Sequence, residues 1–65
     1  MEEKPFCGRP YLEGNFFIIL HAVHYALLIA KQKEQARKFL EEALSLEQPT
    51  REAALTLAEN YVIIV

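Results

Sequence analysis

The chain has a single cysteine, no aspartate, and only two glycines, both before residue 15. With Cys7 alone no intrachain disulfide can form, and one thiol with two histidines cannot complete a zinc cluster within one chain. Neither staple is therefore open to a chain of 65 residues, a length that buries only about 60% of the surface its unfolded form exposes. Self-association is the remaining means of stabilising so small a domain. Excess basic charge is missing as well. Seven Lys and Arg stand against nine acidic residues, so the overall field does not attract phosphate backbones or anionic lipid, and nucleic acid is disfavoured as a partner. The opening Met1-Glu2-Glu3-Lys4-Pro5 lacks the basic region and apolar run of a secretory signal. Together with the lone cysteine, this points to a cytoplasmic protein.

What is present is apolar. The apolar fraction of 52% is high for a soluble domain and indicates either a dense core or an apolar surface shared with another chain, with the balance toward the second. Residues 1–14 carry two prolines and both glycines among mixed charges, which predicts an irregular lead-in. Arg9-Pro10-Tyr11-Leu12-Glu13 is compatible with a short edge strand, where proline's missing N–H can face solvent. Residues 15–65 then read as a single helical domain.

Asn15 is a strong helix N-cap, and no charged residue occurs from Phe16 to Ala30. A helix so apolar needs covering on more than one side. At about 1.5 Å per residue it reaches roughly 22 Å, short of the roughly 30 Å hydrocarbon core of a bilayer, and two histidines interrupt it. A buried central helix is expected rather than a membrane span. The joint Lys31-Gln32-Lys33-Glu34-Gln35 has no glycine or proline, which leaves a tight break and one continuous helix both open.

Beyond the joint, Ala36, Phe39, Leu40, Ala43 and Leu44 recur at helical period, with Arg37, Lys38, Glu41 and Glu42 opposite. Arg37–Glu41 and Lys38–Glu42 are i,i+4 pairs. Pro49 ends this second helix through its effect on the preceding residue. A third is expected from about residue 49 to 60, opened by Pro49 at its first position or by Thr50 as N-cap, with Ala53, Ala54, Leu57, Ala58 and Tyr61 as its stripe. The tail Tyr61-Val62-Ile63-Ile64-Val65 suits a short strand or an intermolecular contact and must be covered.

Glu13-Gly14-Asn15-Phe16-Phe17-Ile18-Ile19-Leu20, then Ala26-Leu27, Phe39-Leu40-Glu41-Glu42-Ala43 and the closing Tyr61-Val62 carry a resemblance. Over residues 13–65 the chain resembles a group of small uncharacterised bacterial and phage helical proteins, which open on an acidic-Gly-Asn-aromatic helix start and end in an aromatic-valine tail. The resemblance implies a small helical fold and no established activity. No functional residue is carried over from it.

Few residues could carry chemistry. His21 and His24 stand one turn apart, in a stripe with Phe17, Leu28 and Lys31, but no third metal ligand is near in sequence. A structural role, facing solvent or a subunit contact, is the simpler reading; a metal site and a pH-sensitive interface are the alternatives to it. Arg9 beside Cys7 could lower the thiol's pKa; the plainer expectation is a small residue packed under a loop. Lys31, Lys33, Arg37 and Lys38 form one basic cluster, usable on phosphates by a helix-turn-helix regulator but interspersed with glutamates.

These readings converge on an all-α domain of three helices around a central apolar one, with a short strand pair from the two termini compatible with it. They predict no catalytic residue, metal or cofactor, no enzyme activity and no membrane. The expected function is a non-enzymatic protein interaction or regulatory module that self-associates, with a homo-oligomer or another protein as partner. The candidate interface is Phe17, His21, His24, Leu28, Tyr61, Ile63 and Val65. A DNA-binding regulator using the four basic residues and an oligomer that binds a small ligand between subunits are the alternatives.

Overall fold

The computed structural model describes residues 4–65, and the fold is mainly helical, with three helices and one short strand pair. Helix α1 runs Phe16–Ile29. Asn15 stays extended and its Oδ1 accepts from the Ile18 amide at 3.1 Å, satisfying one of the first-turn donors that have no partner inside the helix.

The far end of α1 settles the question of the joint. Lys31 takes φ 62°, the Lys31 amide donates to the Leu28 carbonyl and the Gln32 amide reaches back to Leu27, both at 2.9 Å. This pair of reversed bonds around one left-handed residue terminates a helix. The break is therefore tight, and α2 starts at once, at Lys33–Leu44.

Helix α2 buries Ala36, Phe39 and Ala43 of the expected stripe, while Leu40 is half-buried and Leu44, expected on the same stripe, is exposed. It stops at Ser45, whose Oγ donates to the Glu41 carbonyl at 2.8 Å. Of the two possible openings for the third helix, Thr50 is the one used. Its Oγ1 accepts from the Ala53 amide at 3.2 Å, and α3 spans Arg51–Ala58 with Ala54 and Ala58 buried.

The two ends of the chain meet. Strand β1, Phe6–Cys7, pairs in parallel with β2, Ile63–Ile64, with Phe6 opposite Ile63 and Cys7 opposite Ile64. The Ile63 and Val65 amides donate to Pro5 and Cys7, and the Arg9 amide donates to Val65. The strand expected at Arg9–Glu13 is not there. Arg9–Leu12 is a 3₁₀ turn, because proline's fixed φ suits the first turn of a helix and its missing N–H costs nothing at that place. The lead-in also contributes to the core through Cys7 and Leu12, both buried. Met1, Glu2 and Glu3 lie outside the described residues.

Two long-range ties hold the helices to this frame. Arg51, at the start of α3, donates from Nε to the Gly14 carbonyl at 2.7 Å and from Nη2 to Leu12 at 2.8 Å. Tyr61 packs edge-on against Phe39, ring centroids 5.5 Å apart, and its hydroxyl donates to Glu42. The molecule measures 30 × 24 × 15 Å. Elements with side chains are roughly 10 Å across, so the thin direction holds two layers and not three. α1 is central in contacts, touching α2, α3, β1 and the 3₁₀ turn, yet one side of it stays exposed.

Candidate interaction face

α1 has no polar side to turn outward, so water meets apolar groups. Phe16, Ile19, Leu20, Val23 and Leu27 point into the core and are buried. On the opposite side of the same helix stand Phe17, Ile18, His21, Tyr25, Leu28 and Ile29, all exposed. Phe17, Tyr25 and Ile29 remain 60%, 65% and 66% accessible, which is high for large apolar groups on a helix and leaves a contiguous apolar surface of the kind that marks an interaction site. The expectation that α1 is wrapped by neighbours thus holds for one half of it only.

A shallow groove runs along each flank of this face. Between α1 and α2, Phe17, Leu20, His21, His24, Leu40 and Leu44 enclose about 270 Å³. Between α1 and the lead-in, a groove of about 390 Å³ has Cys7, Gly8, Ala22 and Ala26 among its lining, with Phe6, Tyr11, Tyr25 and Ile29 around them. Phe6 and Tyr11 are themselves exposed, so the apolar surface continues from α1 onto the lead-in.

The structure divides the interface residues expected from sequence into two groups. Phe17, His21, His24 and Leu28 fall together on the α2 side of the open face, as their helical spacing requires. Tyr61, Ile63 and Val65 are elsewhere, next to β1, with Tyr61 turned inward to Phe39 and Glu42. Ile18, Tyr25 and Ile29, with Phe6 and Tyr11, were missed. Ile18, Tyr25 and Ile29 are spaced i, i+7 and i+11 and so share one helical face, but nothing in a helix without a polar side marks that face as the outward one.

The chemistry of the face is correspondingly plain. No acidic residue lines the histidine groove, and among the described residues no group of three His, Cys, Asp or Glu could hold a metal ion. The notion that Arg9 activates Cys7 is corrected: the thiol is buried and desolvation raises its pKa, which disfavours the nucleophilic thiolate. Burial also raises Tyr61, to about 12, helped by its bond to Glu42 and by that carboxylate's charge.

Lys31, Lys33, Arg37 and Lys38 are exposed. Arg37 lies 3.8 Å from Glu41, so acid and base alternate along this side. The Glu42 expected to pair with Lys38 accepts from Tyr61. On α3 the one arginine is occupied by the Leu12 and Gly14 carbonyls, beside exposed Glu52 and Glu59. Among the described residues no helix is long and apolar enough to cross a membrane. No family model, curated protein or solved structure matches this chain.

Proposed function

We propose that the chain is a non-enzymatic interaction module that works by self-association through the open face of α1. The observation carrying this reading is the outward half of α1, where every exposed side chain from Phe17 to Ile29 is uncharged or a histidine. A hydrophobic face on a chain of net charge −2 lets two copies meet without setting like charges against each other at the contact, and a two-fold contact needs only that one patch from each. The shallow grooves and the absence of a three-residue metal cluster among the described residues favour binding over chemistry. This reading sets the protein in the cytoplasm, where a single thiol stays reduced.

Molar mass in solution tests it. Light scattering behind size exclusion is expected to give a multiple of the 7.5 kDa protomer at neutral pH, and Tyr25→Glu or Ile18→Glu to give the protomer mass with helical circular dichroism retained. A wild-type chain that stays monomeric at high micromolar concentration would end the reading.

A further inference from the structure

Resting on the reading that the chain self-associates, we propose that the second copy covers the lead-in side of the open face, docking on Ile18, Tyr25 and Ile29 of α1 together with Phe6 and Tyr11, and leaves the histidine groove on the other flank in water.

The exposed half of α1 has two sides. Ile18, Tyr25 and Ile29, at i, i+7 and i+11, stand on the side toward the lead-in, and Tyr25 and Ile29 form one bank of the groove there. Phe6 and Tyr11, 68% and 72% accessible, form the other bank. Gly8, Ala22 and Ala26 lie between, too small to fill the space themselves. On the opposite side, Phe17, His21 and His24 share the smaller groove with Leu40 and Leu44 of α2.

Area separates the two sides. Large side chains offer about 150–250 Å² each when fully exposed. At the exposures found, Phe6, Tyr11, Ile18, Tyr25 and Ile29 present on the order of 650 Å², close to the ~800 Å² per partner of a standard interface. On the α2 side, Phe17, Leu28 and Leu44 present roughly half as much. A small molecule seated in the lead-in groove, of about 390 Å³, would leave Ile18 and the outer parts of the aromatic rings wet. A second copy supplies apolar cover of matching extent from the same patch.

Desolvation favours the same side. No charged or imidazole side chain lines the lead-in groove. Covering the α2 groove would instead take two imidazoles out of water, with no carboxylate in its lining to accept from them, and a polar group buried without a partner opposes docking. The lead-in side is therefore both the larger apolar surface and the one that gives up less on losing water.

Sedimentation equilibrium of Tyr11→Glu and Phe6→Glu, with circular dichroism confirming the fold, tests the proposal. Neither residue belongs to α1, so a dimer made through α1 alone would be indifferent to both. Each is expected to raise the dimer dissociation constant by at least about tenfold. Leu44→Glu adds the same charge on the other flank and is expected to change it by less than about threefold. A dimer insensitive to Tyr11→Glu and Phe6→Glu, or broken equally by Leu44→Glu, overturns the proposal and leaves self-association standing; a monomeric wild type overturns the reading beneath it. Hydroxyl-radical footprinting of the wild-type chain reads the contact without any substitution. Raising the concentration is expected to protect Phe6, Tyr11 and Tyr25 and to leave His24 and Leu44 reactive, and protection confined to the α2 side rejects the proposal. Enhanced emission of anilinonaphthalene sulfonate on the dimer, lost in Ala26→Phe, would assign the groove to a small apolar ligand and reject it as well.

Discussion

Lys31 is the residue on which the path of the chain turns. A lysine at φ 62° sits in the left-handed region, where its Cβ crowds the backbone and glycine does not. Lys31→Gly is therefore expected to stabilise the fold by about 0.5–1 kcal/mol, the relief of that crowding less the extra chain entropy of glycine, read as a higher urea midpoint; Lys31→Ala is expected to change it little. Sequence reading could not choose between a break and a continuous helix here, because the residue that takes the left-handed conformation is not one that advertises it. Tyr61 gives a pH prediction. Its pKa rises on folding from 10 to about 12, so the unfolded chain loses its proton first as pH climbs. The contribution of Tyr61 to stability is whole below pH 10 and falls from there toward 12. The buried thiol of Cys7, also raised, acts in the same direction with its loss beginning at pH 9. Tyr61→Phe is expected to flatten the alkaline fall in urea midpoint, and an unaltered profile would show that the hydroxyl does not govern it.

At the scale of elements, the helices are set by their first residues and ended by less visible means. Asn15 and Thr50 each accept from the amide three residues on; Asn15 is legible in sequence because a short polar side chain before an apolar run serves as a cap, whereas Thr50 stood beside Pro49 as one of two openings. Asn15→Ala is expected to cost about 1 kcal/mol in a urea titration, a large effect in a domain this small. The stripe of α2 was legible for the same reason: its polar and apolar residues alternate with the turn of the helix, and Ala36, Phe39 and Ala43 are inside. α3 is only eight residues long and would not be stable alone. Arg51 reaching back to Leu12 and Gly14 and Tyr61 resting on Phe39 fix it in place, and neither contact, spanning tens of residues in sequence, has a local signature.

At the scale of the whole molecule, 65 residues make a slab 15 Å thick, enough to cover one side of α1 and no more. If the uncovered side is closed by a second copy, folding and association are linked, and the melting temperature is expected to rise with protein concentration. The same series on Tyr25→Glu is expected to be flat; a flat series for the wild type would count against association. The sequence by itself determined that the domain is mainly helical, that α1 starts after Asn15, which face of α2 is buried and that everything between Phe16 and Ala30 is uncharged, because caps and periodicity are local properties. It did not determine which half of α1 faces inward, since a helix with no polar side has no direction written into its pattern. That choice, the turn at Lys31 and the pairing of Phe6–Cys7 with Ile63–Ile64 were decided by tertiary structure, through contacts between segments that only the folded chain brings together.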